Sequence, residues 1–173
     1  MTALRLEGRA RVFGDDVNTD YIIASRRKRE SLDPVVLRQY LFEEIDPRFA
    51  RSVEPGDLIV AGRNFGCGSA MEVAATVVLG AGIRAVLAAS FSRTYFRNAV
   101  NNGLLPIPCD TSRIGEGDHL VIEPGAGEGS PLAIRDVTTG ETVIAAALPD
   151  IMVDILAAGG LVPYFRLHGG FRV

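Results

Sequence analysis

The stretch GRNFGCGSAME, residues 62–72, puts a serine behind a Gly-Cys-Gly turn and ahead of an apolar helical pattern. Two readings of Ser69 start from that arrangement. In the first, Ser69-Ala70-Met71-Glu72 is an S-x-x-E capping box: the hydroxyl accepts the backbone N–H near Glu72, and Glu72 reaches back. Such a cap contributes about 1 kcal/mol, and Gly66 and Gly68 permit the unusual backbone angles of the turn. In the second, the helix N-terminus is an anion site, with free N–H groups and about half a positive charge. A serine oxygen seated there would have its alkoxide stabilised, as a serine acting as a base requires. No histidine stands nearby in sequence and the G-x-S-x-G elbow is absent, so a Ser-His hydrolase is not indicated. Capping and catalysis are compatible, and both stay open at this point.

Metal chemistry has little to work with. Cys67 and Cys109, with His119 and His168, match neither a zinc spacing nor the four thiolates of an iron–sulfur cluster. Free thiols are expected. Cys67 reads as a small packing residue in a tight turn, with a redox role as the alternative. Asn64 lies close enough to the turn to bond a ligand. Net charge is −3, which leaves no footprint for nucleic acid or an acidic membrane. No apolar run reaches about 18 residues, so no membrane span is expected. The opening MTALRLEGRARVFG lacks an apolar core of signal-peptide length, and a cytoplasmic location is expected.

The elements that position the turn follow from periodicity. Residues 3–13 alternate as a first strand, and GDDVNTD (14–20) is a loop of Asx-turn formers. SRRKRESLDP (25–34) is a charged loop. Asp33-Pro34 opens a predicted helix over 33–45, with Val36, Leu37, Tyr40 and Leu41 on one face. A buried-type strand lies within 55–64. A helix follows Ser69 and ends at Gly80-Ala81-Gly82. RAVLAAS (84–90) is a strand, 91–103 a helix and LLPIPC an extended piece. Three further strands are expected in GDHLVIEP, PLAIRDV and ETVIAAA, with the Gly-rich segment 124–131 between the first two. A last helix stops at Gly159-Gly160. Strand–helix alternation in the middle predicts a parallel core, and the late strands an antiparallel addition. The 173 residues, 47% of them apolar, suit one α/β domain over 1–173 with a mixed sheet flanked by helices.

GRNFGCGS, followed by GAGIRAVLAASFSRTYFRNAVNNGLLPI, resembles the small subunits of 3-isopropylmalate dehydratase and homoaconitase, the detached swivelling domains of the aconitase superfamily. GDDVNTDYII, DPRFA, PGDLIVAG and ILAAGGLVPYF fit the same pattern, so the likeness runs from about residue 10 to 166. It implies a swivelling β/β/α fold like the aconitase C-terminal domain. It implies a hydro-lyase acting on a hydroxy-di- or tricarboxylate, active only with a large subunit that carries a [4Fe–4S] cluster, and no cofactor in this chain. By motif match Ser69 is the general base, Asp20 an acidic residue buttressing the site, and Gly68 part of the turn.

The sequence also departs from that pattern. The family continues Gly-Ser-Ser-Arg-Glu-His, where this chain has Gly68-Ser69-Ala70-Met71-Glu72-Val73. A forked arginine on a carboxylate is worth roughly 1.5–3 kcal/mol, and Met71 offers an apolar contact instead. Where the dehydratase of leucine synthesis often has Arg-Tyr-Leu, this chain has Arg26-Arg27-Lys28-Arg29. Arg29 aligns best with the specificity-loop arginine, while a solvated charged loop is the plain reading of such a tetrad. The expected substrate-binding set is therefore Arg26, Arg29, Gly68, Ala70, Met71 and Asn64, with the loop arginines regaining an anion grip lost at Met71. The rival function is a non-catalytic domain that senses a carboxylate or regulates a partner.

Overall fold

The computed structural model describes residues 5–125 and 130–171, so the middle of the glycine-rich segment expected at 124–131, residues 126–129, lies outside the described residues. Seven strands form one sheet: β1 (Leu6–Val12), β2 (Leu58–Ala61), β3 (Ala85–Ala88), β4 (Leu105–Pro108), β5 (His119–Pro124), β6 (Leu132–Asp136) and β7 (Thr142–Ala145). Their order is β4-β3-β2-β1-β5-β6-β7. The β1–β2, β2–β3 and β3–β4 pairs are parallel, and β1–β5, β5–β6 and β6–β7 are antiparallel. The expected mixed α/β sheet is present, with β1 shared between its two halves.

The composition of the central strands dictates their layers. All four residues of β2 and of β3 are buried, as parallel strands covered on both faces must be. On one face Ile59, Ala61, Val86 and Ala88 pack with Val73, Ala74, Val77 and Val78 of helix α4 (Val73–Gly80) and with Leu37, Leu41 and Phe42. On the other face Leu58, Val60, Ala85 and Leu87 share a cluster with Leu120, Ile122, Ile134 and Ala145 of the antiparallel half. The sheet therefore folds back on itself about β1, and the layers run helix, parallel sheet, antiparallel sheet.

The remaining helices are short: α1 (Thr19–Ile22), α2 (Pro34–Leu37), α3 (Phe49–Ser52), α5 (Arg93–Asn101), α6 (Asp150–Ala157) and α7 (Leu161–His168). Two sequence expectations need correction. The helix predicted over 33–45 starts as expected, with the Asp33 side chain capping Val35 N–H at 2.8 Å and Pro34 in first place. It then tightens to a 3₁₀ turn at Arg38–Tyr40 and stops. Phe42 takes a positive φ of 57° and its N–H bonds Ile22 O at 2.9 Å, so its ring stacks on Phe13 in the core. A long-range contact outweighs the local pattern there. The second correction is α7, which follows the Gly159-Gly160 stop and packs Tyr164 against Val100 and Ile155. Among the described residues no single helix is long and apolar enough to cross a membrane.

Charge pins the end of the sheet where β2 begins. Asp57, 4% exposed, accepts from Arg9 and from Arg11, and Arg11 also donates to Glu116 and to Ser52. Burial raises the Asp57 pKa, but the Arg9 guanidinium, the Glu54 N–H and Arg11 outweigh it and hold the carboxyl below its ordinary value.

Candidate functional site

The loops at the carboxyl ends of β1, β2 and β3 lie side by side, where open parallel sheets place their ligands. Backbone bonds join them. Asp16 N–H donates to Arg63 O (2.8 Å), Gly66 N–H to Val17 O (2.8 Å) and Thr19 N–H to Cys67 O (2.8 Å). From the other side Phe65 N–H donates to Ser90 O (3.0 Å), and the Ser92 hydroxyl to Gly66 O (2.7 Å). The glycines are forced. Gly66 has φ +75°, and a β-carbon there would stand 2.2 Å from the Tyr95 ring. Gly68 has φ +93°, and a β-carbon there would meet the Asn18 side chain at 2.5 Å.

Ser69 lies exposed at the end of this joined turn. Thr19 Oγ1 donates to its carbonyl at 2.9 Å, which fixes the backbone, and its own hydroxyl has no partner among the described residues. The capping box does not form. Helix α4 starts at Val73, its N-cap is Glu72, and no side chain caps it. Ser69 thus stands well outside the first helical turn, and the dipole argument, which fades within a turn, does not reach it. What the structure gives Ser69 is an immobilised backbone and access.

Asp20 follows Thr19, the residue that ties down Ser69. Asn18 Oδ1 caps α1 by accepting from Asp20 N–H (2.9 Å), and Asp20 Oδ1 accepts from Ser25 N–H (2.9 Å). Asp20, Tyr21, Ala24, Ser25, Arg26 and Glu44 line an open depression of about 250 Å³. Of the residues expected from sequence, Asp20 and Arg26 meet there. Arg29, exposed and with no partner among the described residues, does not line it, and neither do Ser69, Gly68 or Ala70.

Two members of the expected substrate set have other occupations. Met71 is 5% exposed and belongs to the main core, so its apolar contact is made with the protein itself. Asn64 adopts φ +60°, donates its backbone N–H to the Ser90 hydroxyl oxygen (2.8 Å) and its side-chain amide N–H to Asp16 Oδ1 (2.8 Å); it braces the loops. In the basic loop, a 3₁₀ turn over Ser25–Arg29, Arg27 is structural. Its guanidinium lies 3.7 Å from the Tyr40 ring centre and bonds both Glu43 oxygens at 2.8 Å and Glu30 at 2.6 Å. The Tyr40 hydroxyl, then Arg27, hold the Glu30 carboxyl below its ordinary value. Sequence reading missed Tyr21, Ser25 and Glu44. Only the opposite charge of 26–29 and 43–44 hinted at Glu44.

Both cysteines are free, and no group of three or more His, Cys, Asp or Glu converges among the described residues. The Cys109 thiol is pushed up to about 11 by burial and by Asp110.

Residues 35–112 match the model of the aconitase C-terminal domain. The chain is 44% identical over 162 residues to the 3-isopropylmalate dehydratase small subunit of Moorella thermoacetica, covering 92% of this chain and 93% of that one. It is 42% identical over 163 residues to the isopropylmalate/citramalate isomerase small subunit of Methanocaldococcus jannaschii, covering 93% and 94%. The crystal structure of a 3-isopropylmalate dehydratase from Methanocaldococcus jannaschii superposes with a TM-score of 0.86 at 40% identity, covering 96% of each chain.

Proposed function

Because the chain belongs to the family of 3-isopropylmalate dehydratase small subunits, we propose that it is one half of a hydro-lyase whose substrate is a hydroxy-di- or tricarboxylate of the isopropylmalate or citramalate class. The relatives compared are enzyme subunits, which favours the enzyme over a carboxylate sensor. The large subunit is the partner. The [4Fe–4S] cluster that the resemblance implies has no ligand set among the described residues, so we assign it to that subunit. The cytoplasm is the proposed location.

In this reading Ser69 acts as its alkoxide: Oγ takes the carbon-bound proton next to a substrate carboxylate and becomes the hydroxyl. Its backbone is held by Thr19, so the hydroxyl is positioned without spending its own hydrogen bonds. Gly68 and Ala70 flank it with little bulk, and the main chain can approach the ligand closely. Asp20, one residue beyond Thr19, buttresses the loop through Ser25 N–H. Arg26 and Arg29 supply positive charge for the carboxylates. Met71 has no contact in this scheme, and Asn64 acts by bracing.

The observation that carries the proposal is an accessible serine hydroxyl, with no partner among the described residues, whose carbonyl Thr19 holds at the end of a turn tied to two neighbouring loops. The test is Ser69→Ala in the complex with the large subunit. We expect kcat to fall about 10²- to 10⁴-fold, the usual span for a lost acid–base group, while gel filtration shows assembly unchanged. Turnover surviving that change would remove Ser69 from the chemistry.

A further inference from the structure

The depression beside Asp20 has an unusual wall for an anionic substrate. Its charged side chains are Asp20, Glu44 and Arg26, a net charge of −1, and Arg26 is already engaged. The Arg26 guanidinium bonds Glu44 Oε1, with a second, longer contact of 3.3 Å to Glu43. Glu43 has both oxygens taken by Arg27 at 2.8 Å, so its hold on Arg26 is residual. Glu44 has no partner but Arg26 among the described residues. Both partners reach solvent: 59% of the Arg26 side chain and 38% of that of Glu44 are exposed. An ion pair this exposed contributes little and exchanges readily.

We propose that Glu44 is an internal competitor for the substrate carboxylate. It occupies Arg26 in the free subunit and gives it up when a ligand carboxylate arrives. This sets the affinity of the site and disfavours ligands with too little negative charge to displace it. The Arg27–Glu43 pair, stacked on Tyr40, is the fixed frame that keeps Arg26 and Glu44 facing each other. The inference rests on the reading of Arg26 as a carboxylate contact.

The experiment is a mutant cycle in the complex with the large subunit, using 3-isopropylmalate and citramalate as probes: Glu44→Gln, Arg26→Gln and the double variant. Gel filtration verifies that each assembles. Glu44→Gln should lower KM about two- to fivefold, the size set by an exposed ion pair. Arg26→Gln should raise KM about tenfold or more. In the double variant the gain from Glu44→Gln should vanish, because the competed arginine is gone. If Glu44→Gln lowers KM equally with and without Arg26, Glu44 merely repels the substrate and the exchange is overturned. If Arg26→Gln raises KM but Glu44→Gln leaves it unchanged, the exchange alone falls. If Arg26→Gln leaves KM unchanged for both probes, the carboxylate reading of Arg26 falls with it.

Discussion

Replacing Gly66 with alanine tests how the serine turn is built. The residue needs φ +75°, and a β-carbon would lie 2.2 Å from Tyr95 Cγ and 2.4 Å from its Cβ. Tyr95 cannot retreat: it is 1% exposed, sits on α5, and meets the Phe65 ring edge-on with centres 5.1 Å apart. A left-handed conformation costs an alanine about 1 kcal/mol, and forcing a methyl into a packed core costs about 1–3 kcal/mol more. The loss of about 2–4 kcal/mol is a large share of a total stability of about 5–15 kcal/mol. Gly140 provides the control. Its φ is +82°, and nothing lies within 4 Å of where a β-carbon would go, so Gly140→Ala should cost only the backbone part, about 1 kcal/mol. Urea unfolding followed by circular dichroism reads both as shifts in midpoint. Equal losses in the two variants would refute the argument from the Tyr95 ring.

Three other outcomes are expected. Asp57 is held below its ordinary pKa in the fold, so its contribution is present above the unfolded value and lost as pH falls through the folded one. Asp57→Asn should therefore be about 3 kcal/mol less stable at neutral pH, and the gap should close below about pH 4 in unfolding curves. Cys109, its thiol raised to about 11, should resist iodoacetamide at pH 8 in the folded subunit and react on unfolding, as mass spectrometry of the labelled peptide would show. Arg27→Ala should loosen the 25–30 turn from Glu43 and Tyr40, raising KM with little change in kcat; an unchanged KM would mean that Arg26 keeps its place without that frame.

Residues whose neighbours in sequence are also their neighbours in space could be read in advance. The apolar runs of β2 and β3, the Asp33-Pro34 helix start and the late antiparallel strands have this character. The glycine turn ahead of Ser69 is legible in the sequence, but what fixes Ser69 is not. The S-x-x-E spacing suggests a cap, whereas Thr19 from another loop holds the Ser69 carbonyl and the helix begins at Val73. The same limit explains Met71, Asn64 and Arg27: their partners lie in the core, on Asp16 and Ser90, and on Glu43. Glu44 carries no local mark beyond its charge. Its meaning arises only when the chain returns after Tyr40 to face Arg26. Helix α7 was hidden because two glycines read as an end, although Gly160, with φ +124°, redirects the chain into a new helix.

The strand shared by the two halves is also the one nearest the start of the chain. Ala10 must find Leu58, and Leu6 must find Ile122, before either half is closed. Contacts this distant in sequence place the molecule among slow-folding topologies, with times of milliseconds to seconds. Until residue 124 has emerged from the ribosome, one edge of β1 has no partner and is open to another chain.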